Sequence, residues 1–318
     1  MDSQIKVTIS CLSFNHSKYI RNTLDGFLMQ KTNFKYEVII HDDASTDGTQ
    51  EIIKEYQEKY PDIIKPILQT ENHYSKGIKI SKTFIYPIAK GEYIAYCEGD
   101  DYWTDENKLQ MQVDFLDSHP EYSACCHNTK RYNAKKKRYD GYVSNRKKDC
   151  DLNLEDVVMG GGVYQTSSLV LRKEYLFKGY TFKDMIKGIG DYPLAIALTI
   201  HSKIRYFSKV ASVYRLFSTP NSFTRQATRE KMAYLYLQVL EMLEVVKTYA
   251  TKEQLPCIER AIEHNEYNVL DNSNKKEKFK VSPYKEFYQR ASKKSKIKLW
   301  LKRNFSVLYK IYEKVKNG

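Results

Sequence analysis

Apolar residues in the first 120 positions come in two rhythms. Lys6–Leu12, Tyr36–His41, Ile64–Leu68 and Tyr93–Cys97 are short apolar runs with the length and β-branched content of buried strands. Between them, Lys18–Gln30, Thr49–Lys59 and Ile78–Ala89 place apolar residues at helical spacing, and Asp105–Ser118 does so after the last run. Ser45-Thr46-Asp47 and Thr104-Asp105-Glu106 supply helix starts ahead of the second and fourth of these. Strand and helix in strict alternation predict an α/β fold with a mostly parallel sheet and right-handed crossovers.

The rhythm changes after residue 120. Residues 121–148 form a basic, tyrosine-containing stretch (Lys130, Arg131, Lys135–Arg138, Arg146–Lys148) that predicts loops or edge strands. Val163–Arg172 predicts a strand after Gly160-Gly161-Gly162, Gly188–Ile200 a helix, and Val210–Phe217 a further strand ending in the turn Ser218–Ser222. From Arg229 the pattern is helical, with a break at Pro256. At about 100° per residue, Ile297, Trp300, Leu301, Phe305, Val307, Leu308, Ile311, Tyr312 and Val315 share one face of a closing helix. Lysines and Arg303 occupy the other face, and Leu299 is the exception. Such a helix suits an anionic membrane surface; packing on its own domain or on a partner explains it too.

Composition narrows the class. The net charge of +13 is concentrated at the end, where Asp271–Gly318 holds fifteen Lys/Arg against four Asp/Glu. The 27 tyrosines suit stacking on sugars or bases, and a tyrosine-rich core accounts for them equally. Six cysteines show no CxxC pair, as expected of free thiols in a reducing compartment. The chain enters its first strand at once, leaving no signal peptide to expect, and no run approaches the roughly 18 apolar residues of a membrane span. The expected location is cytoplasmic, with peripheral contact at the cytoplasmic face of the membrane.

Two apolar runs end in carboxylates: Val38–His41 runs into Asp42-Asp43, and Tyr93–Cys97 into Glu98-Gly99-Asp100-Asp101. Parallel strands deliver such residues to the carboxyl edge of the sheet, where open α/β folds bind ligands. Like charges there repel unless a cation or a ligand lies between them. One cluster gripping a base or ribose and the other holding Mn2+ or Mg2+ on a diphosphate satisfies both. Capping of the next helix is the alternative for Asp42 or Asp43, and a surface acidic turn for the second cluster.

These residues resemble family 2 glycosyltransferases. Val7–Asn15 with Tyr19-Ile20 is similar to the opening of that family. Asp42-Asp43-Ala44-Ser45-Thr46-Asp47-Gly48-Thr49 resembles its nucleotide-binding turn, with Ala44 where glycine is common. Lys90-Gly91-Glu92-Tyr93-Ile94 and Glu98-Gly99-Asp100-Asp101-Tyr102-Trp103 resemble its metal motif. The likeness is specific to about residue 118 and looser to about 225.

It implies a GT-A-like, Rossmann-type fold over 1–225 (1–120 for the nucleotide, 121–225 for the acceptor), with 226–318 as a helical extension. It implies that Asp43, with Asp42, orients the nucleotide in a pocket lined by Leu12, Ser13 and Asn15. Asp100 is the implied metal ligand, with Asp101 close behind and Glu98 in place of the commoner aspartate. The family's base is an aspartate opening a helix in the second half, and Gly188-Ile189-Gly190-Asp191 fits it, with Asp184 as the fallback. A plain N-cap is the alternative for Asp191. Arg215 is expected to close over the diphosphate.

The implied activity is inverting, metal-dependent transfer from a nucleotide-sugar, expected to be a UDP-sugar. The expected acceptor is a saccharide or lipid-linked oligosaccharide in capsule or related bacterial surface-polysaccharide synthesis. A sugar-nucleotide nucleotidyltransferase needs a glycine- and arginine-rich loop after the first strand, and Ser13-Phe14-Asn15-His16 is none. A nucleic-acid-binding reading uses the basic tail but leaves both acidic clusters idle.

Overall fold

A computed structural model describes residues 4–160, 163–186, 190–218, 228–273 and 279–305. The chain divides into two units, 1–183 with 187–225, and 184–186 with 226–318.

The first unit is a mixed sheet flanked by helices. Its parallel half contains β1 (Ile5–Ser13), β2 (Lys35–Asp42), β3 (Ile64–Leu68) and β4 (Tyr93–Tyr96), within a residue or two of the apolar runs. Helices α1 (Ile20–Leu28) and α2 (Thr49–Lys59) make the first two crossovers. The order β3-β2-β1-β4 places β1 between β2 and β4, both parallel to it. Ile20, Leu24 and Phe27 of α1 pack on Val7, Ile9 and Val38, and each is fully buried. The helix expected over Ile78–Ala89 is reduced to one short turn, Ser81–Ile85.

The remaining strands differ more from the sequence pattern. A two-residue β5 (Tyr102–Trp103) precedes α3 (Lys108–Ser118). The stretch expected to be loops or edge strands contains β6 (Tyr122–Asn133), an inner strand between β9 (Val170–Arg172) and β10 (Lys203–Leu216). Ser123, His127 and Thr129 hid it: they are polar yet fully buried, and Ser123 Oγ and Thr129 Oγ1 are partnered by Leu198 O and Ser212 Oγ. β7 (Arg138–Tyr142) pairs with β6, and β8 (Cys150–Leu152) with β10. The strand expected from Val163 begins only at Val170, because Thr166–Ser168 form a turn. Two short helices, α4 (Leu154–Val158) and α5 (Glu174–Phe177), lead to α6 (Asp191–Thr199), buried along most of its length.

The second unit is helical: α7 (Arg229–Lys247), α8 (Leu255–Asn272), α9 (Tyr284–Arg290) and α10 (Lys293–Asn304). Leu299, the apparent exception, is the buried residue of α10 at 2% exposure; Ile297, Trp300 and Leu301 face solvent. Arg303 donates to Leu270 O at 2.9 Å and Lys302 pairs with Asp271, so the docked side is anchored by its cations. Val307, Leu308, Ile311, Tyr312 and Val315 lie outside the described residues.

Candidate active site

β1 holds both acidic clusters in place. Its Ser13 carbonyl accepts the Asp43 N–H at 3.0 Å, and its Leu12 carbonyl accepts the Gly99 N–H at 2.8 Å. The two clusters therefore flank the end of one strand. Gly99 is required there: a Cβ would lie 2.7 Å from His16 Nδ1 and 3.1 Å from Ser13 Oγ.

The first cluster is saturated by protein donors. Asp42 is fully buried; Oδ1 accepts from Ser45 N (2.9 Å) and Gln50 Nε2 (2.8 Å), and Oδ2 from Ser45 Oγ (2.6 Å). Asp43 receives the backbone N–H groups of His73 (2.9 Å) and Tyr74 (3.0 Å), one on each oxygen. Asn15 ties this turn back to β1, donating its N–H to Ser45 Oγ and accepting from Thr46 N. Asn15 and Ala44 both have left-handed φ, 56° and 65°. Asn tolerates that conformation; Ala carries a cost of about 1–2 kcal/mol, which explains why the turn favours glycine at position 44.

The second cluster is short of positive charge. Asp101 is 1% exposed; its Oδ1 accepts the Arg215 N–H at 2.9 Å, and its Oδ2 is buried without a partner. Burial, then the charges of Asp100 and Glu98, push the Asp101 carboxyl well above the usual carboxylate range, against the Arg215 N–H. Glu98 is raised by desolvation from the surrounding protein, then by the charges of Asp100 and Asp191. Its side chain is open to solvent, so water screens part of that effect.

Asp100 Oδ2 accepts from Ser218 Oγ at 2.5 Å and lies 3.9 Å from His16 Nε2. Arg215 is 7% exposed, donating to Asp100 O (2.5 Å) and Asn22 Oδ1 (3.0 Å) and stacking on Tyr102 and Tyr19. It thus braces the backbone of the acidic turn.

Asp191 opens α6. Its charge acts on Glu98, and Tyr214 senses Asp101, Glu98, Asp100 and Asp191 together. Surrounding protein raises the Asp191 carboxyl, partly offset by the Tyr192 N–H at 2.9 Å. The side chain remains solvent-accessible, beside a depression lined by Val157, Val163, Tyr164 and Thr166. Gly161, Gly162, Gly188 and Ile189 lie outside the described residues, and Asp184 belongs to the second unit.

The structure adds residues that the motifs left out. Thr23 Oγ1, buried on the apolar face of α1, lies 2.6 Å from Asp101 O and 3.0 Å from Gly99 O. A polar residue among Ile20, Leu24 and Phe27 was its signal in the sequence. His16 stands against Asp100 and carries a buried, unpartnered Nδ1.

The donor set fits a divalent cation. All candidate ligands are hard oxygens, one buried oxygen is orphaned, and their repulsion calls for positive charge. Among the described residues no three of His, Cys, Asp and Glu converge as a cage. A cation here would share its remaining positions with phosphate oxygens and water, as Mg2+ commonly does.

Comparison with known proteins gives a consistent picture. An uncharacterised protein of Mycobacterium tuberculosis is 42% identical over 214 residues, which is 66% of this chain and 58% of that protein. The chain thus spans well under two thirds of that relative's length. The Escherichia coli UDP-Glc:alpha-D-GlcNAc-diphosphoundecaprenol beta-1,3-glucosyltransferase WfaP is 34% identical over 112 residues, 35% of this chain and 41% of its own. S. aureus TarS 1–349 in complex with UDP-GlcNAc superposes with a TM-score of 0.59 at 18% identity, covering 93% of this chain and 79% of that one. Mannosyltransferase PcManGT from Pyrobaculum calidifontis, in complex with GDP-Man and Mn2+, gives 0.58 at 15% identity over 98% and 84%. These two likenesses establish the GT-A fold. The family model described as glycosyl transferase family 2 matches residues 9–175, more than half of the chain, and the chain belongs to that family.

Proposed function

We propose that this chain is an inverting, metal-dependent glycosyltransferase that moves a sugar from a UDP-sugar to a hydroxyl of a saccharide or lipid-linked oligosaccharide in bacterial surface-polysaccharide synthesis. One observation carries the reading: the charges of Asp100 and of Asp191, which opens α6, both act on Glu98 in the turn after β4, and Tyr214 senses all three. The polysaccharide setting is supported by relatives such as WfaP, whose name specifies UDP-Glc and a lipid-diphosphate acceptor.

In this mechanism Asp43 accepts from the nucleotide base or ribose, in a pocket edged by Leu12, Ser13 and Asn15. Asp42, expected to share that contact, is fully buried and instead holds the turn through Ser45 and Gln50. Asp100, backed by Asp101 and Glu98, would hold Mn2+ or Mg2+, and the cation would supply charge neutralisation for the leaving diphosphate. Arg215 keeps the Asp100 turn in position and adds positive charge beside the phosphates. Asp191 takes the proton of the acceptor hydroxyl as that oxygen bonds the anomeric carbon and the carbon–oxygen bond to the nucleotide breaks. A carboxyl raised by its surroundings is a better base at neutral pH than an ordinary aspartate.

The test is calorimetric titration of UDP-, GDP- and dTDP-sugars with Mn2+ and with EDTA, followed by donor hydrolysis. The expected result is one donor bound in a metal-dependent way, with Asp191→Asn retaining that binding and losing roughly 100-fold or more in turnover. Metal-independent binding, or full turnover in Asp191→Asn, overturns the assignment.

For the second unit we propose peripheral contact with the cytoplasmic face of the membrane. Ile297, Trp300 and Leu301 are exposed on α10 and Phe305 just after it, with Lys293 and Lys294 also exposed on the helix. No helix among the described residues is long and apolar enough to cross a membrane. Cosedimentation with phosphatidylglycerol vesicles should fall about tenfold in Trp300→Glu; unchanged sedimentation refutes the contact.

A further inference from the structure

The basic stretch 130–148 has no part in the chemistry above, yet it is built onto the acidic turn. In the sheet register Tyr132 lies opposite Arg215, Lys130 opposite Val213, and Val213 opposite Tyr102. Paired positions project to one side, so Tyr102, Arg215, Tyr132 and Lys130 share a face. β7 adds Tyr139 opposite Tyr132 and Tyr142 opposite Lys130.

In a regular strand residues 139 and 142 would face opposite ways. Gly141, at φ 84°, and the register shift between Lys130 and Tyr132 form a bulge that turns both tyrosines to the same side. Bulges re-aim side chains in this way.

The result is a continuous aromatic surface. The Tyr102 and Tyr139 hydroxyls are 3.5 Å apart, and the Tyr132 and Tyr139 ring centroids 5.3 Å. Lys130 Nζ sits 4.0 Å from the Tyr139 centroid, and the Arg215 guanidinium 4.3 Å from that of Tyr102. Arg215 reaches Asp100, so the surface runs from the acidic turn outward to Tyr139 and Tyr142, which are 48% and 44% exposed. Residues 130–148 carry nine Lys/Arg against one Asp, and that Asp140 already pairs with Arg138.

We propose that this face of the β6–β7 hairpin is an acceptor subsite, and that the acceptor is an anionic glycan bearing phosphate or carboxylate groups between its sugar rings. The proposal rests on the sugar-transfer reading and specifies its acceptor. Exposed tyrosine rings offer flat apolar surface to the C–H faces of sugars, and the cations around them match anionic groups. A merely solvated face needs the lysines but not two exposed tyrosines turned to one side by a bulge. An anionic lipid surface also attracts lysines, but continuity with Asp100 favours a chain that runs into the site.

The experiment measures binding of three soluble probes of equal length: a glycerol-phosphate oligomer, an oligogalacturonate and a neutral dextran oligomer. UDP binding and thermal stability are recorded in parallel. The wild-type chain is expected to bind a charged probe, with affinity falling as salt rises, and to ignore dextran. Tyr139→Ala/Tyr142→Ala and Lys130→Ala/Lys136→Ala are each expected to weaken charged-probe binding about tenfold while leaving UDP binding and melting temperature unchanged. Preference between the two charged probes separates phosphate from carboxylate.

Equal binding of dextran, no binding of any probe, or variants that bind charged probes like wild type overturn the proposal. Variants that lose binding to phosphatidylglycerol vesicles, measured alongside, but bind the charged probes like wild type overturn it in favour of a lipid surface. Absence of UDP binding in the wild type refutes the donor reading, which keeps the two failures apart.

Discussion

Two acidic clusters follow two parallel strands and flank the end of β1, yet they are built to opposite designs. At Asp42-Asp43 every carboxylate oxygen accepts a hydrogen bond from a backbone N–H, a hydroxyl or an amide. At Glu98–Asp101 one buried oxygen has no donor, Asp101 is raised by burial and by the charges of Asp100 and Glu98, and Glu98 by the surrounding protein and by Asp100 and Asp191. The first design fixes a shape, its carboxylate oxygens already held by protein donors. The second leaves charge uncompensated until a ligand supplies it. A strand-end carboxylate is thus informative only together with its donors: saturation marks a cradle, deficit marks a cation or proton site.

Swapping the same deletion between the clusters tests this contrast most strongly. Asp100→Ala should weaken Mn2+ binding roughly 100-fold or more, read by calorimetry or by the Mn2+ electron-spin signal. The apo protein should keep its melting temperature, because the deletion removes repulsion along with the Ser218 hydrogen bond. Asp42→Ala should do the reverse. It strands the Ser45 N–H, the Ser45 hydroxyl and the Gln50 amide, at about 2–4 kcal/mol of stability by chemical denaturation. If Asp100→Ala unfolds the protein and Asp42→Ala only weakens the metal, the two designs have been assigned the wrong way round.

The same physics decides what the sequence could reveal. β1, β2 and β4 were legible because strands buried on both faces must be apolar runs, and the carboxylates after β2 and β4 stand out by contrast. β6 was not legible. Its Ser123, His127, Asn128 and Thr129 are polar, and Ser123 and Thr129 are satisfied by partners far away in sequence, Leu198 and Ser212. The same limit hid Thr23, whose role depends on the turn 99–101, and the shared face of Tyr132 and Arg215, which exists only in the register of two strands. On α10 the periodicity grouped the apolar residues correctly but could not tell which side docks; Leu299 alone on the far side was the one buried. Local pattern identifies elements and candidate chemistry, while satisfaction of buried polar groups is a long-range property.

A smaller effect sharpens the comparison further. Glu98 is a carboxyl raised up to about 7, against an ordinary value of 4.5. A raised acid favours its neutral form in the fold, so its contribution to apo stability is complete below pH 4.5 and is lost as pH rises through 7. The metal-free protein should therefore gain stability on acidification over that window, relative to Glu98→Gln, in which the group cannot titrate. Because Glu98 is open to solvent, we expect a shift of only a few degrees in melting temperature between the two proteins. Saturating Mn2+ should reverse the sign: a bound cation favours the carboxylate, so the stabilisation by Mn2+ grows as pH rises through 7 in wild type and less so in Glu98→Gln. Melting curves of both proteins at half-unit steps from pH 5 to 8, with and without Mn2+, read the two slopes directly. Parallel slopes would mean that Glu98 senses neither Asp100 nor a cation, and that the charge deficit belongs to Asp100 and Asp101 alone.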